Sequence, residues 1–347
     1  MSRYTLVCII LLAALISASC GTRLPSGCPP TCVGTDLSGK NLEGVQLEGA
    51  DLVESNLGKA VMVGANLKNT NLSGATLDET NLESADLSGA MLIGADLTNA
   101  NLRNSRVDGA DLRGANLQGA SLSRVDLTQA IMNGANFNGA ELIGSNLRAL
   151  NLSGVEMIET ILSGANLSAA NLSGGALSTA NFSGADLSNA SLGGAWLNLT
   201  SLVGSDLSQA NLAGGIFLGA DLTGANLSGA KLNGAILVGA NLSGVDLRGA
   251  DLTGAVVILP VPPGSGEDFS YESLTGDELR QALAQTDIAK AAYDPVVLEL
   301  IESQLKPLLK DAQFQGALYD DSTVWPLGFQ VPDSAIKVSA TQAENQP

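Results

Sequence analysis

Residues 220–234 read ADLTG ANLSG AKLNG, which is one five-residue pattern written three times. The pattern continues in both directions, so that every fifth residue from Leu37 to Val257 is Leu or an apolar substitute, without an insertion or a deletion. Ala usually stands two residues before the Leu, Asn or Asp lies between them, and a small polar residue and Gly follow. A five-residue period fits neither a long helix nor a long strand.

The repeat predicts which side chains face inward. Alternation across Ala-Asn-Leu is typical of a very short strand, so Leu and Ala should point into a core while Asn, Asp and Ser face water. Gly then supplies the positive φ of a tight corner. The chain is 45% hydrophobic but only 3% aromatic, which indicates a thin core of Leu and Ala that suits stacked repeats.

These residues resemble the pentapeptide-repeat family, whose consensus is A-(D/N)-L-x-x, over about two thirds of the chain. The resemblance implies an all-β solenoid, namely a right-handed quadrilateral β-helix with four repeats per coil. Residues 35–259 are therefore expected to form about eleven coils, in a rod on the order of 50 Å long at roughly 4.8 Å per rung.

Composition excludes several classes of function. The formal net charge is −18, which argues against nucleic-acid binding because that requires a basic surface. The chain contains no His, which removes Ser-His-Asp and Cys-His catalysis and imidazole ligands for zinc. We therefore predict no catalytic residue, no metal site and no cofactor.

The first 19 residues are predicted to be a secretory signal peptide. Arg3 begins a short basic region, and the apolar run 6–16 is long enough for a signal but too short to cross a membrane. Residues 17–20, Ser-Ala-Ser-Cys, resemble the lipobox of bacterial lipoproteins, although that motif usually has Leu at the place of Ser17. The resemblance implies lipidation at Cys20 and anchoring in the bacterial cell envelope, on the periplasmic or extracellular side; plain cleavage before Cys20 is the alternative.

Residues 20–34 are interpreted as a tether and an N-terminal cap. If Cys20 carries lipid and Cys8 leaves with the signal peptide, Cys28 and Cys32 remain as a pair. A disulfide between them is expected in an oxidising compartment. A redox or metal role for the pair is the alternative.

With four repeats per coil, residues 20 apart stack on one face. On three faces the position before Leu is mostly polar, but on the fourth it becomes apolar after Ala176. An aligned apolar ladder implies that something covers it. The predicted occupant is the chain's own C-terminal segment, and a homodimer or another protein is the alternative. This apolar face is formed by Trp196, Leu199, Ile216, Leu218, Ile236, Val238, Val256 and Ile258.

The sequence after the repeat predicts a linker and a helical cap. Residues 260–270 are rich in Pro, Gly and Ser, and the prolines are expected to end the solenoid. A capping box at 275–278 and Asp294-Pro295 predict helix starts within a cap spanning 271–318, in which Phe314 continues the apolar pattern. Residues 319–347 are predicted to be an irregular tail.

The leading hypothesis is a non-enzymatic, exported structural or binding protein that presents protein-interaction surfaces. The family resemblance offers an alternative, because some cytoplasmic members mimic DNA and bind DNA gyrase, conferring quinolone resistance. The export signal argues against that alternative. A third hypothesis is Ca²⁺ binding or carboxylate catalysis along ladder positions such as Asp186, Asp206 and Asp246, for which a role in solubility and corner stability is simpler.

Overall fold

The computed structural model describes residues 28–257 and 311–338. It divides the chain into two compact units, Met1–Asn146 and Leu147–Pro347, which are described separately below. The predicted signal peptide, Cys20, the linker 260–270 and Ile258 lie outside the described residues, as do the two predicted helix starts.

The first unit is a four-sided β-solenoid, because its bridges join residues 20 apart. Asp36 pairs with Asn56, and Asn56 pairs with Thr76, in each case in parallel. The Asn56 N–H donates to the Thr35 carbonyl at 2.9 Å, and the Leu57 N–H donates to the Thr76 carbonyl at 2.8 Å. Each short side of a coil is therefore hydrogen-bonded to the coil before it and the coil after it.

A two-residue turn after each Leu makes the corner. The Ala60 N–H closes one such turn by donating to the Leu57 carbonyl at 3.0 Å. The residue before the Ala position, which Thr80 occupies in one repeat, has positive φ: 63° at Gly64, but also 60° at Lys59 and 53° at Glu79. The predicted positive-φ corner is confirmed. Gly is preferred there because it has no Cβ to strain, yet other residues are held in the same conformation by the coils.

Leu and Ala fill the interior of both units, as predicted. Leu57 and Ala60 are completely buried, and so are the larger side chains of Phe137 and Phe182 at the Leu position. Polar residues at the Ala position are buried as well. Several of their hydroxyl groups donate to nearby backbone carbonyls, as Ser55 does to Leu52 at 2.7 Å and Thr70 does to Leu67 at 2.7 Å, which compensates for the loss of water.

The second unit has the same coil, and its last coil is made by residues far along the chain. After Val257, the described chain continues at Asp311, and the Ala312 N–H donates to the Val257 carbonyl at 2.8 Å. Three parallel bridges then stack this segment on the preceding coil: Asn241 with Gln313, Asp246 with Leu318, and Asp251 with Val324.

Two short strands complete this end of the unit. Strand β1, Leu318–Tyr319, pairs in parallel with β2, Ile336–Lys337, in the register Leu318 to Ile336 and Tyr319 to Lys337. Among residues 28–257 and 311–338 none is helical, and no helix long and apolar enough to span a membrane occurs there.

The described residues 311–318 contain no helix, so the helical cap predicted over 271–318 does not extend to them; the predicted irregular tail 319–347 is mostly irregular over 319–338 but includes strand residues at Tyr319 and at Ile336–Lys337. Residues 312–316 read AQFQG, a further copy of the repeat, with Phe314 buried at the Leu position and Gly316 at φ 68°. Apolar spacing alone suggested a helix, but the last coil offers unpaired backbone groups that only another rung can satisfy. The total of about eleven coils stays a prediction.

Aromatic side chains gather at this last coil. Trp325 packs edge-on against Phe314 and Tyr319, with both ring centroids 5.6 Å away, and stacks on Phe329 at 5.4 Å. Aromatic residues make up only 3% of the chain. Several of them lie together beside the buried Phe314. Large rings at this position cover much of the apolar area that a Leu and Ala core would otherwise expose at its end.

Candidate interaction surfaces

Where the described part of the first unit begins, a disulfide joins Cys28 and Cys32, whose Cα atoms lie 4.9 Å apart. Cys32 occupies a Leu position and is fully buried. Its N–H donates to the Asp51 carbonyl at 2.7 Å, so the pair belongs to the first rung that the structure describes. This arrangement is that of a structural clasp. The cysteine sulfurs are bonded to each other and are not available as metal ligands.

The Asp and Asn side chains before each Leu are tied into the corners. In the second unit, the Asp186 Oδ1 accepts the Ser188 N–H at 3.0 Å, and the Asp206 Oδ1 accepts the Ser208 N–H at 2.9 Å. The Asn226 amide also donates to Asp206 across the coils at 3.1 Å. Asn and Asp suit this position of the repeat because they combine a short side chain with a strong acceptor that reaches the backbone two residues later.

These contacts bear on the Ca²⁺ or carboxylate hypothesis. Asp186 and Asp206 are neighbours in one ladder, and Asp246 follows two rungs later, beyond Asn226. Asp246 is held by the Arg248 guanidinium, with Nε 2.9 Å from Oδ1. Within the described parts of the chain, no group of three or more His, Cys, Asp or Glu side chains could hold a metal ion. The carboxylates of this ladder act as hydrogen-bond acceptors that stabilise the turns.

The corner hydrogen bonds also make some carboxyl groups more acidic. The Thr253 hydroxyl and then the Asn233 amide donate to Asp251, which holds its pKa below the ordinary value of 3.8. In the first unit the Thr128 hydroxyl lowers the pKa of Asp126 in the same way. A lowered pKa in the folded state means that the ionised carboxylate stabilises the fold.

We therefore expect part of the stability to be lost in acid. The contribution of Asp251 is fully present above its unfolded pKa and disappears as the pH falls through the lower folded pKa. In Asp251→Asn the side chain keeps an acceptor but no longer titrates, so its thermal midpoint should fall less than that of the wild type between pH 5 and pH 2. Thermal unfolding of both proteins across that range measures the difference. An equal loss in both would contradict the assignment, since relief of repulsion among the other acidic groups affects both alike.

The structure places the predicted apolar face in one parallel ladder of the second unit. Ala176, Trp196, Ile216, Ile236 and Val256 pair in succession. Leu218 and Val238 lie two residues beyond Ile216 and Ile236, on the same side of the coil. Leu199 stands at the adjoining corner with φ 57°.

Several of these outward-facing side chains are buried. Leu218 and Val238 are 1% and 0% exposed, and Ile216 and Ile236 are 2% and 4% exposed, whereas Trp196 and Val256 are half-buried. Val203 occupies the same place in the repeat as Val238 on a neighbouring face, and it is 37% exposed. Burial on this face therefore exceeds what stacking of the coils provides.

Two polar residues belong to the same buried surface, and sequence reasoning missed them. Ser178 and Asn198 precede Leu218 and Val238 in the column, and they are 1% and 0% exposed. The Asn198 Oδ1 accepts the Leu218 N–H at 3.1 Å, so this amide is engaged by the backbone of the next coil. In the sequence, only the 20-residue spacing that aligns them with Leu218 could have identified them, because neither residue is apolar.

The geometry defines a class of protein, a four-sided β-solenoid built from five-residue repeats. The family model described as pentapeptide repeats matches this chain in overlapping copies over residues 32–157, 160–198 and 200–256. The chain belongs to the pentapeptide-repeat family, whose members form right-handed quadrilateral β-helices. No curated protein matches it significantly.

Solved pentapeptide-repeat structures resemble parts of the chain. HetL, involved in heterocyst differentiation regulation in the cyanobacterium Nostoc sp. strain PCC 7120, is 29% identical over 74% of this chain and 97% of its own, with a TM-score of 0.27. A protein of the Arabidopsis thaliana thylakoid lumen is 31% identical over 32% of this chain and 70% of its own, with a TM-score of 0.21. QnrB1, a plasmid-mediated fluoroquinolone resistance protein, is 16% identical over 65% of this chain and 81% of its own, with a TM-score of 0.22. These similarities give no evidence about a binding partner. They therefore do not support the hypothesis that this chain binds DNA gyrase.

Proposed function

We propose that this chain is an exported, non-enzymatic scaffold protein, anchored to the bacterial envelope by lipid on Cys20, whose polar solenoid faces bind other proteins. The observation that carries the proposal is the disulfide between Cys28 and Cys32. Structural disulfides form in oxidising compartments and are rare in the cytoplasm. With Cys8 removed in the signal peptide and this pair joined, Cys20 is the single remaining thiol, at the position where a lipoprotein carries its lipid.

The polar faces suit a binding role because their side chains are already fixed. Asp186 and Asn226, for example, each accept the N–H of the Ser two residues later, at 3.0 and 3.1 Å. A partner that binds such a surface orders few side chains, which lowers the entropic penalty of association. The net charge of −18 favours a partner with a cationic surface, whose approach it accelerates.

Metabolic labelling tests the anchor. Radiolabelled palmitate should be incorporated into the wild-type protein made in a bacterial host, and Cys20→Ala should abolish the label. Cys8→Ala is the matched control, because it alters a Cys within the signal peptide and should leave labelling unchanged. Label that persists in Cys20→Ala would refute lipidation at this residue.

Alkylation of thiols in intact cells tests export separately. Cys28 and Cys32 should resist alkylation until a reductant is added, and the protein should fractionate with the envelope. Free thiols at both positions, together with recovery from the cytosol, would overturn the export proposal even if the fold is unchanged.

A further inference from the structure

The first unit contains a break in the hydrogen bonds that join one coil to the next. Between residues 37 and 127, every other residue at the Leu position donates its N–H to the following coil, as Leu87 does to the Arg106 carbonyl at 2.7 Å and Leu127 does to the Asn146 carbonyl at 2.9 Å. Val107 occupies the same position on the coil between them, and its N–H has no backbone partner among the residues that the structure describes.

The break extends over neighbouring groups on the same side of the coil. The N–H groups of Gly109 and Asp126 also lack a backbone partner within the described ranges 28–257 and 311–338. In the same ladder Asp86 pairs with Arg106 and Asp126 pairs with Asn146, but no bridge joins Arg106 to Asp126 in that part of the chain. The ladder is thus closed on both sides of one open step.

Two buried hydroxyl groups lie at this open step. Ser105 is 5% exposed, and within the described residues neither its Oγ nor the buried Oγ of Ser123 has a hydrogen-bond partner. The Asn104 N–H, next to Ser105, reaches the Ser123 carbonyl at 3.3 Å, whereas the corresponding bond one coil earlier, from Ser84 to the Arg103 carbonyl, is 2.9 Å long. The two coils therefore begin to separate at the corner that contains both serines.

The Ser105 hydroxyl differs from those of other serines at the Ala position of the repeat. Ser55 and Ser145 each donate the hydroxyl to the carbonyl of the Leu three residues earlier, at 2.7 Å. The Ser105 N–H closes the same turn, 3.0 Å from the Leu102 carbonyl, but its hydroxyl does not donate there. A buried hydroxyl without a partner costs free energy, so another molecule is needed to satisfy it.

We propose that ordered water occupies this open step as a part of the folded first unit, held by the hydroxyl groups of Ser105 and Ser123 and the N–H groups of Val107 and Asp126. Buried water typically makes about three hydrogen bonds to polar groups that otherwise lack partners, and the step offers that number. Val107 is 1% exposed, so bulk solvent does not replace the missing carbonyl at its N–H. These groups are neutral hydroxyl and peptide groups, which water can match and which do not select an ion. The inference goes beyond the proposed function and is independent of lipidation and export.

A high-resolution crystal structure of the mature chain tests the site directly. A water oxygen should lie about 2.7–3.2 Å from the Ser105 Oγ and from the Val107 nitrogen. The proposal would be overturned by a Ser105 hydroxyl that donates to the Leu102 carbonyl while the Val107 N–H donates to the Asp126 carbonyl, because the step would then be closed by the protein itself.

Amide hydrogen exchange followed by NMR tests the same site in solution, on the unsubstituted chain. Leu87 and Leu127 are the matched positions on the coils before and after Val107. We expect the Val107 amide to exchange about tenfold faster than either, because a peptide group bonded to water opens more easily than one bonded within a closed rung. Equal protection of the three amides would contradict the proposal.

A pair of variants tests the role of the serine. Ser105→Ala removes one group that holds the water, so exchange at Val107 should accelerate by about a further fivefold, the factor expected for one hydrogen bond. Ser145→Ala is the matched control, because its hydroxyl bonds within its own turn, and it should leave exchange at Val107 unchanged. Unchanged exchange in Ser105→Ala, or equal acceleration in both variants, would refute the assignment of Ser105 to the site.

Discussion

Replacing Phe314 by Ala is expected to lower the free energy of unfolding by about 3–5 kcal/mol, the range found for large-to-small changes at buried aromatic sites. Phe314 is 3% exposed and sits at the Leu position of the repeat formed by residues 312–316. Its ring contacts those of Trp325 and Phe329, with centroids 5.6 and 5.7 Å away. The change therefore removes core volume and also the support of the aromatic cluster. Denaturant unfolding followed by Trp fluorescence and by far-UV circular dichroism measures the loss.

The variant should lose the last coil before the rest of the solenoid, because stacked repeats are stabilised mainly by their neighbours. Near-UV dichroism from Trp325 should therefore fall at lower denaturant than the far-UV signal. Leu327→Ala is the control, since Leu327 is fully exposed and its removal should change stability by less than about 0.5 kcal/mol. If Phe314→Ala is equally mild, residues 311–338 do not form the terminal rung.

The second large effect concerns a pair inside one coil, Gly215 and Phe217. Gly215 occupies an inward position that is usually Ala, and a Cβ built there would lie 2.9 Å from Cε2 of Phe217. Gly215→Ala should therefore destabilise the protein by about 1–3 kcal/mol through overpacking. Adding Phe217→Leu restores the common Ala and Leu combination and should recover most of that loss. The expected coupling energy is about 1–3 kcal/mol in a double-mutant cycle.

Gly175→Ala provides the matched control for this cycle. At Gly175 the added Cβ would meet the Leu172 carbonyl at 3.0 Å, much as at Gly215 it meets the Leu212 carbonyl at 3.1 Å, but the nearest side-chain atom is 3.5 Å away. It should be tolerated or mildly stabilising. Phe137 and Phe182 coexist with Ala135 and Ala180 two residues earlier. A neutral Gly215→Ala would mean that the Phe217 ring reorients as those rings do.

Some features could be read from the repeat because each depends only on local chemistry. Period-five spacing identified the inward Leu and Ala positions, and Gly64 and its counterparts identified the corners. The alignment of Trp196, Ile216 and Ile236 followed from counting 20 residues per coil, and the parallel bridges place them so. Counting residues along the repeat did not identify Asn198, because the burial of this side chain depends on what covers the apolar face.

The sequence by itself determined the repeating coil, since each five-residue unit contains its own strand, corner and core residues. Only the tertiary structure decided how the solenoid ends. Residues 311–318 have apolar spacing that also suits a helix, and their repeat is a single copy separated from the others by residues 258–310. What selects the β conformation there is the row of backbone N–H and C=O groups on the preceding coil, which lies more than 60 residues earlier in the sequence: Leu242 donates to the Gln313 carbonyl at 2.8 Å, and Leu247 donates to the Leu318 carbonyl at 2.7 Å. These backbone groups find hydrogen-bond partners only when the distant segment stacks on the coil. No local sequence pattern indicates that requirement.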